Sequence, residues 1–293
     1  MKYICVLLAV LWFWSCKSDK RDEKKQDREV VIEENSVLKD TIHVNDVDIE
    51  PVVDKSISIE LKQKQLIEKE DESADFQALI IEKTYLKDKK DYTINFKYPQ
   101  LNESFNLTNK NFNDFINDYY VNITKTEADI LESKLLCDSI EASNFREERF
   151  IDYKIYNVND QLVSVLFYKE NFYSGAMHPS YSFDCFNFDL NRGVFMTYDD
   201  FFIQGSEEEL VGIINENINK QMGKGDLFYD CWEVSLDDFL NGKNNFVLND
   251  TYVEFYFDDC VICPSYTGTY SIELKLVDLL SVLKKYDLNP LVF

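Results

Sequence analysis

The feature that most constrains this chain is a compositional boundary between residues 17–75 and residues 76–293. The first segment contains no Phe, Trp or Tyr, whereas the second holds nearly all of the 22 Phe and 18 Tyr residues. The first segment also carries 11 Lys and Arg against 18 Asp and Glu. Such a segment buries too little apolar surface to offset the entropy cost of ordering it. We therefore expect residues 17–75 to be a disordered charged linker, and residues 76–293 to fold.

The N-terminus has the pattern of a bacterial lipoprotein signal peptide. Lys2 precedes an apolar run that ends at Trp14, and Ser15 leads into Cys16 and a charged stretch. A transmembrane helix needs about 20 apolar residues, and this run is shorter. We predict that residues 1–16 are the signal peptide, that Cys16 is lipidated, and that the linker tethers the folded part to a membrane. Plain secretion is the alternative, because Phe13 stands where the usual lipobox has Leu.

The charge of the chain restricts its partners. Its formal net charge is −23, and residues 76–293 hold 19 Lys and Arg against 36 Asp and Glu. The basic patch that nucleic-acid binding requires is missing, so no nucleic-acid partner is expected. Contact with a membrane is expected through the lipid anchor alone. An acidic domain favours a cationic partner by electrostatic steering, although the same charge also serves plain solubility.

The folded part is predicted to be α+β, with antiparallel sheets and helices packed on one face. Predicted strands span 76–86, 91–98, 150–158, 161–168, 181–190, 194–197, 246–248, 252–257 and 271–276, with a bulge near Cys185. Predicted helices run from an N-cap at Thr108 to about 136, from a capping box at Ser206 through 218, after Ser235, and over 277–286. Strands joined by hairpins with helices between them favour this class over a parallel sheet. We divide it into two halves, 76–170 and 171–293.

Several motifs resemble one bacterial envelope domain family. Residues 173–179, Tyr-Ser-Gly-Ala-Met-His-Pro, precede a strand ending Phe-Asn-Phe-Asp-Leu at 186–190, then Asn-Arg-Gly at 191–193 and Thr-Tyr-Asp-Asp-Phe-Phe at 197–202. This order is similar to the PdaC/RsiV-like domains, a family of unknown function. Its members accompany peptidoglycan deacetylase domains or form the ectodomain of a lysozyme-sensing anti-sigma factor. In this chain, Ser174 replaces a glycine of the family pattern and Met177 is an extra residue.

The resemblance implies a non-catalytic module, without a cofactor, that binds a cell-wall component or a cationic protein such as lysozyme. Its candidate binding loop comprises Tyr173, Ser174, Gly175, His178 and Pro179, together with Tyr266 from a later loop. Two alternatives stay open. One is an envelope enzyme, of hydrolase or deacetylase type, with a site near His178. The other is a structural lipoprotein without a ligand. In each case we expect the protein in the cell envelope, anchored by lipid to the outer membrane and either periplasmic or exposed on the surface.

The residues themselves give little support to catalysis or metal binding. His178 is the one histidine of residues 76–293, and no nucleophile-elbow spacing accompanies it. We interpret it as a residue that ties down its loop by hydrogen bonds. The acidic pairs at 199–200, 237–238 and 258–259 lack the spacing of a calcium loop and are interpreted as helix and loop caps. No metal site is predicted.

Five cysteines lie in the folded part, so at least one is left out of any intramolecular pairing: Cys137, Cys185, Cys231, Cys260 and Cys263. Cys260 and Cys263 form a CxxC motif without the further ligands of a zinc site. In an oxidising envelope we expect a disulfide that uses Cys260 or Cys263, and the sequence leaves its pairing open. Buried unoxidised cysteines are the alternative.

Overall fold

The computed structural model describes residues 78–137, 143–227, 231–264, 267 and 270–285. The predicted signal peptide with Cys16, the predicted linker, and Tyr266 of the candidate loop lie outside these residues. In the described part the fold is α+β, as predicted. None of its helices is long and apolar enough to cross a lipid bilayer.

Six strands form the larger sheet, in the order of the sequence: β1 (Ile80–Asp88), β2 (Tyr92–Leu101), β3 (Glu147–Val158), β4 (Leu162–Phe172), β5 (Ser180–Asp189) and β6 (Val194–Met196). Neighbouring strands are antiparallel except β2 and β3, which are parallel. This pair departs from the predicted antiparallel arrangement because a helical crossover connects the two strands. Strand β2 also continues past Pro99, which is paired with Glu82 of β1.

The predicted helix between β2 and β3 is broken into three parts. Helix α1 (Asn109–Phe115) passes into a π-helix (Ile116–Val121), and α2 (Ile123–Leu136) follows. Asn122 separates the last two with a left-handed φ of 30°, and its side chain accepts a hydrogen bond from the amide of Lys125. Asn tolerates this conformation better than most residues, so the break falls there.

The described part of residues 171–293 contains three α-helices and a smaller sheet. The helices are α3 (Tyr198–Phe201), α4 (Glu207–Lys224) and α5 (Leu236–Gly242). Strands β7 (Phe246–Leu248), β8 (Tyr252–Tyr256) and β9 (Ser271–Lys275) form an antiparallel sheet. The closing α-helix predicted over 277–286 is wrong. The described residues of this segment form a short 3-10 helix, Leu276–Leu279, and no α-helix.

The helix caps agree with the sequence in part. Ser235 accepts a hydrogen bond from the amide of Asp238 at 3.1 Å, which confirms the predicted start of α5. The capping box at Ser206 is wrong, because its hydroxyl donates to the carbonyl of Ile203 at 2.6 Å and caps no helix amide. A capping box is found instead at the start of α3, where the Asp200 carboxylate accepts a hydrogen bond of 2.8 Å from the amide of Thr197.

The two sheets pack face to face, and each carries helices on its other face. Alternation along β4 shows this, since Val165 packs with the core beneath α1 and α2 whereas Leu166 packs with the smaller sheet. A third apolar cluster joins β7–β9 to α4 and α5. The bulge predicted near Cys185 is wrong, because β4 and β5 pair without interruption from Leu162 to Asn171. Strand β5 is covered on both faces, so apolar residues on both faces need no bulge.

Candidate functional site

The predicted binding loop is the tip of the β4–β5 hairpin, residues 173–179. The ring of Tyr173 lies 4.2 Å from the guanidinium carbon of Arg149, which is itself ion-paired with buried Glu147. The hydroxyl oxygen of Ser174 accepts the backbone N–H of Arg146 at 3.4 Å. Gly175 has a φ of +82°, which the reversal of the chain requires and which glycine adopts without strain.

His178 makes one hydrogen-bonding contact within this loop in the described structure. Its side chain is exposed, and its Nδ1 lies 3.1 Å from the carbonyl of the adjacent Pro179. The neighbouring Met177 is 98% exposed. None of the described residues 173–179 lines the cleft described next.

A cleft of about 430 Å³ lies between β5, helix α5 and the segment that follows β8. We call it the β5–α5 cleft. Its polar lining consists of Asp184, Asp238, Asn241, Asn244, Asn245 and Asp258. The aromatic residues Phe186, Tyr256 and Phe257 also contribute to it. Its volume falls in the usual range for small-ligand sites.

The cleft exists because one edge of β5 is only partly paired. Strand β6 covers β5 at 187–189 and leaves the preceding residues open on that side. The side chain of Asn245 takes the place of a strand, since its Oδ1 accepts the amide of Cys185 at 2.8 Å and its Nδ2 donates to the carbonyl of Phe183 at 2.9 Å. This satisfies two groups of the edge and fixes the segment between α5 and β7 beside it.

One carboxylate of the cleft is held by its neighbours. Asp184 accepts a hydrogen bond of 2.7 Å from the hydroxyl of Tyr120 and lies 3.7 Å from the ammonium of Lys169. Burial raises the pKa of Tyr120 well above its usual range, and the charge of Asp184 acts in the same direction. Burial lowers the pKa of Lys169, with Asp184 acting against it. Asp184 is therefore part of a fixed polar cluster on the wall.

Of the remaining polar groups, Asn245 is engaged by the protein itself, and the others keep hydrogen-bonding atoms available to a ligand. Asp258 and Asn241 are exposed, and their side chains make no hydrogen bond within the part of the chain that the structure describes. Asp238 uses one carboxylate oxygen to accept the hydroxyl of Ser235 at 2.6 Å. No Lys or Arg belongs to the described lining, so the carboxylates of Asp238 and Asp258 have no cationic partner within it.

The cysteines stabilise this region and leave one inert thiol in the cleft. Cys263 is bonded to Cys231, whereas Cys260 of the CxxC motif is exposed and outside that bond. The disulfide ties down the loop that contributes Asp258, and the amide of Trp232 donates to the carbonyl of Ile262 at 2.9 Å beside it. Burial raises the pKa of the Cys185 thiol well above its usual range, so this cysteine stays protonated.

Sequence reasoning interpreted the acidic pairs as caps and did not connect them to a cleft. The Asp200 carboxylate does cap the amide of Thr197. The Asp238 carboxylate instead accepts the hydroxyl of Ser235, and it is Ser235 that caps the amide of Asp238. No group of three or more His, Cys, Asp or Glu side chains suited to a metal ion occurs among the described residues. The asparagines at 241, 244 and 245 were missed, and the signal in the sequence was their density between a short helix and a strand.

Comparison with known proteins gives a partial match. No protein-family model matches the chain. It is 28% identical over 145 residues to the peptidoglycan-N-acetylmuramic acid deacetylase PdaC of Bacillus subtilis (strain 168), a match that covers 48% of this chain and 30% of that protein. The chain thus spans less than a third of the curated relative's length. This similarity supports an envelope-associated domain of PdaC-like type.

Two solved structures are also similar. A DUF3298 family member from Bacteroides fragilis has a TM-score of 0.49 and 15% identity, covering 70% of this chain and 92% of that one. A DUF3298 family protein from Pseudomonas aeruginosa PAO1 has a TM-score of 0.48 and 17% identity, covering 70% and 93% of the two chains.

Proposed function

We propose that this domain is a non-catalytic binding module of the bacterial cell envelope and that it binds a wall glycan in the β5–α5 cleft. One observation carries the proposal: the cleft is lined by carboxylate and amide residues together with aromatic residues, among them the half-buried Phe186. Hydroxyl groups both donate and accept hydrogen bonds, so a sugar satisfies the carboxylates and the amides at once. The similarity to part of a peptidoglycan deacetylase supports a ligand of this class.

The features of the site also favour binding over catalysis. His178 and Ser174 belong to the 173–179 loop, outside the described cleft lining. The thiol in the cleft is the protonated Cys185. The proposed anchor at Cys16 and the charged linker would hold such a module within reach of the wall.

A cationic protein such as lysozyme is the second candidate ligand. The charge of the chain, −23, favours it, because an acidic surface accelerates encounter with a basic protein. Such an interaction would weaken steeply as salt is raised from low to physiological concentration, whereas hydrogen bonds within a cleft depend less on salt.

Co-sedimentation of the purified full chain with isolated, N-acetylated peptidoglycan tests the proposal. We expect the protein to sediment with the wall, and the double variant D258N/N241A to stay largely in the supernatant. The matched control is Glu132→Gln, which removes one exposed charge from α2 and should sediment like the wild type. Equal sedimentation of all three proteins would contradict the assignment of the cleft.

A further inference from the structure

We propose that the β5–α5 cleft selects a sugar that carries a protonated amine, of the glucosamine type, over its N-acetylated counterpart. This rests on the proposed function, namely that the cleft is the glycan site of the domain. The inference concerns which chemical form of the glycan the cleft prefers, and it follows from three features of the lining.

The first feature is an excess of negative charge that the protein leaves without a cation. Asp258 and Asp238 are exposed at the cleft, and no Lys or Arg belongs to its described lining. Carboxylates only accept hydrogen bonds. A neutral sugar would supply hydroxyl donors but no opposite charge. A protonated amine would supply donors and charge together, and such charge-assisted bonds are the stronger ones.

The second feature is the presence of amide donors beside those carboxylates. Asn244 accepts the amide of Tyr198 through its Oδ1 at 2.8 Å, so its NH2 group is the part that remains to face a ligand. Asn241 makes no hydrogen bond within the described residues. An ammonium on a lysine side chain has no acceptor to offer these donors, whereas sugar hydroxyls do. The amides therefore favour an amino sugar over a basic protein side chain.

The third feature is the apolar surface in the same cleft. Phe186 is half-buried. Its ring packs edge-on against the rings of Phe115 and Tyr120, with distances of 5.3 Å and 5.2 Å between ring centroids, and these contacts hold it in place. A pyranose has an apolar face formed by its C–H groups, and the aromatic residues of the lining offer apolar surface to it. The volume of about 430 Å³ exceeds what a single ammonium group needs.

Calorimetric titration of the full chain with two matched tetrasaccharides tests the inference. One is the tetramer of glucosamine and the other the tetramer of N-acetylglucosamine, at a pH where the amine is protonated. We expect the amine form to bind about tenfold or more tightly, as one charge-assisted hydrogen bond would give. Asp258→Asn should remove most of this preference, and Glu132→Gln should keep it. Thermal unfolding of each variant checks that it is folded.

Several results would overturn the inference. They are equal affinity for the two tetramers, preference for the acetylated one, no binding of either, or the same loss in Glu132→Gln as in Asp258→Asn. The inference would also be overturned if spermine competed as effectively as the glucosamine tetramer, since the cleft would then recognise positive charge without recognising the sugar. If these results occurred while the chain still sedimented with N-acetylated peptidoglycan, the proposed function would stand and only the amine preference would fall.

Discussion

The hydroxyl of Tyr156 in β3 donates a hydrogen bond of 2.8 Å to the carboxylate of Glu254 in β8, and so joins the two sheets between residues 98 positions apart. Both side chains are buried. The other carboxylate oxygen of Glu254 accepts the hydroxyl of Ser271 at 2.7 Å, and the hydroxyl of Tyr256 lies 2.9 Å from that of Tyr156. Tyr256 also lines the cleft, so this polar cluster fixes one wall of the proposed site.

Replacing Tyr156 by Phe should destabilise the fold, because it removes a donor from a buried carboxylate. We expect the free energy of unfolding, measured by urea titration, to fall by about 2 kcal/mol. Tyr119→Phe is the matched control, since Tyr119 is 78% exposed and should change stability by less than about 0.5 kcal/mol. Similar effects of the two substitutions would contradict the importance of the buried bond.

Gly193 should not tolerate a side chain. It adopts a φ of +66°, and an added Cβ would come within 2.5 Å of the Cβ of Thr108. Gly193→Ala should therefore lower the free energy of unfolding by about 2 to 4 kcal/mol. Gly212→Ala in α4 has open space around it and should instead stabilise the protein by about 0.5 to 1 kcal/mol. Changes of opposite sign in the free energy of urea unfolding would confirm both predictions, and changes of the same sign would count against this geometry.

The disulfide should contribute strongly to stability. Cys231 and Cys263 are 32 residues apart, and closing a loop of this length stabilises a fold by about 3 to 4 kcal/mol. Reduction, or Cys231→Ser, should lower the urea midpoint accordingly. Peptide mapping without reduction should find the Cys231 peptide linked to the peptide of residues 260–263. The link should survive in Cys260→Ser; its loss there would show that Cys260 is the true partner.

One ion pair should make stability depend on pH in the acid range. Glu207 lies 2.8 Å from the ammonium of Lys243, and this hydrogen bond holds its pKa below the ordinary 4.5. A lowered folded-state pKa stabilises the protein above the unfolded value, and this contribution is lost as pH falls through the folded-state pKa.

Glu207→Gln should therefore be less stable than the wild type near about pH 7, and the difference should vanish near about pH 2. Glu208→Gln is the control, because it removes a charge from the same first turn of α4 without an ion pair in the described structure. Urea unfolding at both pH values measures the difference. A gap between Glu207→Gln and the wild type that persists at low pH would contradict the ion-pair explanation.

The strands were predictable because aromatic and β-branched residues mark them, and the α+β class followed from their order. The break in the helix at Asn122 was not predictable, because the apolar spacing that favours a helix continues across this residue. The apolar spacing over 277–286 suggested a helix, although in the described part Val282 and Leu283 are buried outside any helix and Leu279 ends a short 3-10 helix. The 173–179 loop was selected on a resemblance, and the structure places it outside the described cleft lining.

The cleft itself could not be predicted from the sequence. It depends on a contact between the edge of β5 and Asn245, whose side chain bonds the Cys185 amide 60 residues away. Local patterns carry no information on which edge stays open or on what covers it. The acidic residues could be identified in the sequence, but that they meet at one cleft depends on the tertiary structure.

Hydrogen exchange of the full chain, with and without soluble glycan strands released from peptidoglycan, tests the central claim most directly. The account predicts that the glycan slows exchange in residues 183–186, 241–245 and 256–261, which surround the β5–α5 cleft. Exchange in the 173–179 loop should stay unchanged. Slowing confined to that loop, or no slowing anywhere at saturating glycan, would contradict the assignment of the cleft as the binding site.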